Sequence, residues 1–187
     1  FDKCVVLVTD DLKAWGFTNM TVIPNFTNMI CKPTSTDREK VVINVGRLED
    51  QKDHQMLIEA WKMVNEKYPD WKLEIWGSGS LKDALQRQIV QLGLNDSVFL
   101  RGVTQNVGPE YQRASLFALS SKYEGMPLVA IEAMTAGVPC VSFDISGVRD
   151  VISDGEDGVI VKQHTPQALA DGIIQLIDNE ELRIDTT

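Results

Sequence analysis

Two histidines and three cysteines are all that this sequence offers toward metal or thiol chemistry. Cys4, Cys31 and Cys140 are scattered and odd in number, so neither a disulfide framework nor a zinc site is indicated. A reducing, cytoplasmic setting fits that cysteine usage. No apolar run approaches the roughly 20 residues of a membrane span, and no signal peptide is visible. Basic residues are also short in supply: 18 Lys and Arg stand against 27 Asp and Glu, for a formal net charge of −9. That balance argues against a general nucleic-acid binder, which needs basic surface to neutralise phosphates. A small anionic ligand held by two or three cations is still compatible with it. The chain starts at Phe1 rather than Met and stops at Thr187, so both ends are expected to be cut points.

What is present is an ordinary globular profile: 187 residues, 43% hydrophobic and 24% charged. Such a length suits one domain of roughly 100–200 residues with its own core. Short β-branched runs at 41–45, 73–76, 98–100, 116–120, 140–143 and 159–161 read as strands. Between them lie helical patterns. HQMLIEAWKMVNEKY places Leu57, Ile58, Trp61 and Val64 on one face, and SLKDALQRQIVQLG does the same with Leu81, Leu85, Ile89 and Leu92. Thr165-Pro166 is a cap followed by a first-turn proline, opening a last helix. Alternation of apolar strands with helices predicts an α/β fold, a doubly wound parallel sheet with helices on both faces. CVVLVT, DLKAWGF and MTVIPNF read as strand, short helix or turn, and strand. The polar, proline-bearing stretch NMICKPTSTDREK reads as a linker. The expected division is therefore 1–37, the tail of a preceding domain plus linker, and 38–187, a compact Rossmann-like unit.

In such a sheet, ligands sit where the strands' carboxyl ends meet helix N-termini, and three turns there stand out. In VINVGRLEDQKDH, Gly46 permits close backbone approach, Arg47 offers a fork of donors, and Lys52 adds a point charge. In EIWGSGSLKD, the Gly77-Ser78-Gly79 turn is not a dinucleotide fingerprint, because Lys82 stands where the third glycine belongs; a plain tight turn is the expectation. In SSKYEGMPLVAIEAMTAGVPCVSF, Glu124 lies in a loop, and Pro127 starts a helix that Gly137 ends. Glu132 sits inside that helix, which is apolar nearly all round, as buried helices are. An unpaired carboxylate there would be costly unless a core cation or a ligand answers it.

The stretches VGRLEDQKDHQMLIEAW, LEIWGSGSL, VFLRGV and EGMPLVAIEAMTAGVPCVSFDISGVRDVISDGEDGVIV resemble the C-terminal domain of family 4 glycosyltransferases. These are retaining enzymes of the GT-B fold, two Rossmann-like domains facing a cleft. The resemblance runs from about Arg38 to the chain end, and the N-terminal piece from FDKCVVLVTDDLKAWGF to VIPNF resembles the last strand and linker of that family's acceptor domain. It implies a nucleotide-sugar donor, UDP-linked by preference, and a glycan or lipid-linked acceptor in surface polysaccharide biosynthesis. Arg47 and Lys52 match the pair that neutralises the donor diphosphate. Glu132 matches the glutamate that accepts from ribose hydroxyls, and Glu124 the one placed against the transferred sugar. Backbone N–H groups of Met126, Leu128 and Val129 would meet the phosphates, with Gly46 and Gly125 allowing approach. Gly102 and Val103 match the loop that holds the base. Pro127 departs from members that carry a glycine with a free N–H. No Asp-x-Asp occurs, so no metal and no cofactor are expected, and peripheral membrane association would belong to the acceptor domain.

His54 and His164 are read as surface residues near helix starts, and Trp15, Trp61, Trp71 and Trp76 as packing residues. Two other readings stay open on the residues alone. One is a nucleotide-sugar-binding module without activity. The other is an epimerase or hydrolase on the same fold, although no general acid or base declares itself. A nicotinamide dehydrogenase is disfavoured by the incomplete glycine pattern.

Overall fold

The computed structural model describes residues 4–15, 20–24, 27 and 38–180. The proposed linker falls mostly at 28–37, outside the described residues. Among the described residues there are two sheets. The smaller pairs β1 (Cys4–Val6) with β2 (Met20–Val22) in parallel, joined through α1 (Thr9–Trp15). The larger is built from β3 (Glu39–Val45), β4 (Lys72–Trp76), β5 (Val98–Gly102), β6 (Ala114–Leu119), β7 (Cys140–Phe143) and β8 (Gly158–Val161). All its neighbours are parallel, in the order β5-β4-β3-β6-β7-β8.

That order reverses between β3 and β6, so the crevice of a doubly wound fold opens above their carboxyl ends. The strands alternate cleanly between two cores. Val42, Leu73, Ile75, Leu116, Ala118, Val141 and Val159 face α2 (His54–Lys67), α3 (Lys82–Gln91) and α6 (Pro166–Asp178). Val41, Ile43, Phe117, Leu119 and Cys140 face the opposite side, against α4 (Gly108–Arg113) and α5 (Leu128–Thr135). Thr165 caps α6 through its side chain, accepting from Ala168 N–H at 3.2 Å.

One helix is absent from the sequence reading. α4 has six residues, opens on Gly108 and Pro109, and shows no period of its own. Tertiary contacts hold it. Arg38, immediately before β3, sends Nη1 to the carbonyls of Tyr111, Gln112 and Ala114, and Nη2 to those of Ala136 and Gly137. One guanidinium thus satisfies the orphan carbonyls at the C-terminal ends of both α4 and α5. α5 itself ends in a left-handed turn at Gly137 (φ 68°), with Gly137 N–H donating to Met134 and Val138 N–H to Ala133.

Three expectations are corrected. α5 is not a buried helix: only Ala130 and Ala133 are buried, and Leu128 is exposed, because one side of the helix lies outside the sheet's cover. His54 is not a surface residue; it is 1% exposed, facing β3. Trp61 and Trp71 pack in the core and Trp76 borders it, but Trp15, on α1, is exposed. His164 is at the surface as expected, stacked on Phe143 with ring centroids 3.9 Å apart.

Candidate active site at the sheet's switch point

Because β3 and β6 are neighbours, the loops that follow them meet although far apart in sequence. Lys52 Nζ lies 2.5 Å from Glu124 Oε1, and the two side chains are only 14% and 9% exposed. Ser121 Oγ donates to the same carboxylate oxygen at 2.7 Å. Ser120 Oγ donates to the Lys52 carbonyl at 2.8 Å, and Lys122 N–H to that of Gln51 at 2.9 Å. The two loops are therefore latched by backbone as well as by charge. At this partial burial the attraction is far stronger than at an exposed pair, but both groups also lose water.

Gly46 serves this pair directly: a Cβ there would stand 3.3 Å from Cγ, Cδ and Cε of Lys52, so the missing side chain is the space the lysine stem occupies. Arg47 is exposed; its carbonyl accepts from Glu49 N–H at 2.8 Å, its charge helps lower the Glu49 carboxyl, and its guanidinium makes no hydrogen bond or salt bridge among the described residues. Its loop is held from outside the crevice. Glu49 accepts from Ser80 N–H at 2.8 Å and Ser80 Oγ at 2.7 Å, and these bonds, led by the backbone one, hold its carboxyl below the usual range. The Gly77–Gly79 turn is indeed a packing turn. A Cβ on Gly77 would lie 1.9 Å from the Gly46 carbonyl oxygen, and one on Gly79 would lie 2.4 Å from that of Leu48.

On the other side of the crevice, Gly125 has open space: an added Cβ would meet only Leu7 Cδ1, at 3.8 Å. The Gly125–Met126 turn is set from behind by Gly147 (φ 82°), whose added Cβ would fall 1.9 Å from the Gly125 oxygen. Pro127 is the N-cap of α5 rather than its first residue. The N–H groups of Leu128 and Val129 have no acceptor among the described residues, so two orphan donors of the helix face the crevice end. Gly102 adopts φ 79°, which favours glycine, and its carbonyl accepts from Gly77 N–H at 2.7 Å; Val103 next to it is 73% exposed.

Glu132 projects from α5 and is half-buried. Neither expected core partner, arginine nor lysine, is found for it among the described residues. Instead Tyr111 Oη donates to Glu132 Oε2 at 3.3 Å. Burial pushes the Glu132 carboxyl above its ordinary range, and the tyrosine hydrogen bond only partly opposes that.

Sequence reasoning missed a buried polar relay under Lys52. Asn44, on β3, donates from Nδ2 to the Ala118 carbonyl at 2.7 Å, which turns its Oδ1 to His54 Nε2 at 2.9 Å. That oxygen can only accept, so His54 carries its proton on Nε2. Burial first, then the Lys52 charge, lower the His54 pKa to about 4, so the ring is neutral at physiological pH. The readable signal was Asn44, a polar residue in the middle of the apolar strand VVINV.

Among the described residues no cluster of three or more His, Cys, Asp or Glu is arranged to hold a metal ion, and no helix is long and apolar enough to cross a membrane.

The family model for glycosyl transferases group 1 matches residues 25–186. The chain is 34% identical over 174 residues to a poly(ribitol-phosphate) alpha-N-acetylglucosaminyltransferase of Staphylococcus aureus, covering 92% of this chain and 35% of that protein. An uncharacterized glycosyltransferase of Haemophilus influenzae is also 34% identical, over 97% of this chain and 53% of its own length. Among solved structures, a mutant of Staphylococcus aureus TarM in complex with fondaparinux, alpha-GlcNAc-glycerol and UDP superposes with a TM-score of 0.91 at 32% identity. The match covers 100% of this chain and 39% of that one. The chain thus spans about half the length of these relatives or less, and its fold is that of a GT-B domain of the C-terminal type.

Proposed function

Because the chain belongs to the group 1 glycosyl transferases, we propose that it is the donor-binding domain of a glycosyltransferase that moves a sugar from a nucleotide sugar, UDP-linked by preference, to a glycan or lipid-linked acceptor. The observation that carries this reading is the convergence at the switch point. The Lys52–Glu124 pair ties the loop that carries Arg47 to the loop that leads into α5, whose Leu128 and Val129 N–H groups have no acceptor among the described residues. Such a constellation suits a diphosphate at one end and sugar hydroxyls at the other.

In this reading Arg47, Lys52 and the Leu128 and Val129 N–H groups, with Met126 beside them, bear the diphosphate. Glu132 accepts from ribose, Glu124 from hydroxyls of the transferred sugar, and the base lies against Gly102 and Val103. As the bond between the anomeric carbon and the phosphate oxygen breaks, negative charge grows on that oxygen. Fixed donors that need no reorganisation lower this barrier. The acceptor hydroxyl attacks from the face the phosphate leaves and passes its proton to the departing phosphate oxygen, so configuration is retained and no covalent enzyme intermediate forms. Charge neutralisation is assigned to side chains and helix dipole rather than to a metal. Support for UDP comes from its presence in the TarM complex, and support for a polymer acceptor from the poly(ribitol-phosphate) in the name of the Staphylococcus aureus relative.

The test is calorimetric titration of the chain with UDP and GDP, with EDTA present, repeated on Arg47→Ala and Glu132→Ala. Affinity between micromolar and millimolar, or about −8 to −4 kcal/mol, is expected for UDP, with loss in both variants. Binding that needs added metal, or that survives both substitutions, overturns the assignment.

A further inference from the structure

We propose that Tyr111 is a positioning residue for the nucleotide's ribose: its hydroxyl holds one oxygen of Glu132 so that the other is presented to the ribose hydroxyls. The inference rests on the donor-site reading above and deepens it. Tyr111 is fully buried, and its ring packs on Phe117 with centroids 6.0 Å apart and planes 59° apart. The backbone around it is pinned too, because Arg38 grips the Tyr111 carbonyl and, with its other nitrogen, the end of the helix that carries Glu132. A buried hydroxyl at the end of a fixed ring has little freedom, and the oxygen it points to is Glu132 Oε2.

Glu132 has no cation to orient it among the described residues. Around α5, the titratable groups on packed elements are Tyr111, Glu110 and Arg113 from α4, the last two paired with each other, Cys140 from β7, Arg38 at the C-terminal end and Glu124 in the preceding loop. Arg38 is engaged with carbonyls, Glu124 with Lys52, and Cys140 Sγ with the carbonyls of Ala130 and Val138. Tyr111 is the one of these that reaches Glu132. A carboxylate that accepts from a buried phenol on one oxygen keeps Oε1, and a lone pair on Oε2, for a vicinal pair of hydroxyls. Ribose carries such a pair.

Two measurements separate this inference from the donor-site reading. The first follows the Glu132 carboxyl carbon by NMR against pH in the ligand-free chain and in Tyr111→Phe, which keeps the ring and removes only the donor. Without the hydrogen bond the Glu132 midpoint moves to higher pH; superimposable titrations overturn the inference. The second compares UDP with its 2′,3′-dideoxy analogue by calorimetry on both proteins. Tyr111→Phe should weaken UDP up to about tenfold, more at the acidic end of the range, and leave the dideoxy analogue unchanged. Equal losses on both ligands mean the tyrosine is only structural and overturn the positioning role. If the midpoint moves but neither nucleotide binds the parent chain, the donor-site reading falls and takes the ribose role with it.

Discussion

Lys52 and Glu124 are 72 residues apart in the chain, yet Nζ and Oε1 meet at 2.5 Å, at the point where the strand order reverses. Each side chain is the other's counter-ion in a partly dry site, so neither can be removed alone without leaving a stranded charge. Lys52→Ala is expected to destabilise the chain by about 3 kcal/mol, the cost typical of breaking a buried pair from one side. Lys52→Ala combined with Glu124→Ala should recover much of that stability while donor binding stays lost. Urea unfolding of the two single variants and the double variant measures the cycle. Additive losses would mean that the pair does not interact energetically.

Glu132 trades stability for its site. Its folded pKa is raised above the unfolded value by burial. The folded chain therefore holds the proton more tightly than the unfolded one, and the destabilising effect of this group appears as pH rises through the window above the unfolded pKa. At neutral pH, above the unfolded value, that penalty is present. Glu132→Gln, which needs no ionisation, should raise the melting temperature at pH 7 and lose that advantage at acidic pH. Nucleotide binding should fall in the same variant. A Gln variant no more stable than the parent at pH 7 would count against an uncompensated carboxylate.

His54 behaves in the opposite sense. Its folded pKa of about 4 lies below the unfolded value of 6.5, so the unfolded chain takes up a proton that the folded chain refuses. Stability from this group is complete above pH 6.5 and is lost as pH falls toward 4, by on the order of 3 kcal/mol. Subtracting the pH–stability curve of His54→Gln from that of the parent isolates the effect. A flat difference between pH 6.5 and 4 would show that His54 is not held neutral by burial.

Arg38 closes two helix ends at once. Arg38→Ala strands those carbonyls and is expected to cost on the order of 3 kcal/mol. Arg38→Lys should restore little, since a single ammonium has no planar fork to span both ends. Thermal unfolding of the two variants reads this directly, and full rescue by lysine would reduce Arg38 to a general charge effect.

Gly147→Ala tests how the N-terminal turn of α5 is set. A Cβ at 1.9 Å from the Gly125 oxygen, on a residue already at φ 82°, has no room. The turn must shift, so UDP affinity should drop at least tenfold even though residue 147 touches no ligand in this account. Unchanged affinity would show that the turn position is not needed.

The six large-sheet strands were legible as β-branched runs, α2 and α3 by their apolar period, and α5 and α6 by the punctuation at Pro127, Gly137 and Thr165-Pro166. α4 was not, since its six residues are held by Arg38 and by Tyr111 packing rather than by any local pattern. Arg47, Lys52, Glu124 and Glu132 could be singled out as candidates from their order and spacing. Their pairing was not. Which charge meets which depends on strand order, and the Lys52–Glu124 contact exists only because β3 and β6 are neighbours. The surface reading of His54 failed for a similar reason: its flanks are polar, and only the tertiary partner Asn44 explains a histidine in the core. Gly46 also took on a different role, making room for the lysine stem rather than only for a ligand.

The central claim is that a nucleoside diphosphate lies across the loops after β3 and β6 and against the start of α5. Amide proton–nitrogen spectra recorded during titration with UDP test it residue by residue. Saturable shifts are predicted at Gly46, Arg47, Gly102, Leu128 and Val129, with the Leu128 and Val129 amides moving as they gain a phosphate acceptor. Shifts confined to the outer face of α3, around Asp83 and Arg87, or no saturable shift at millimolar UDP, would contradict it.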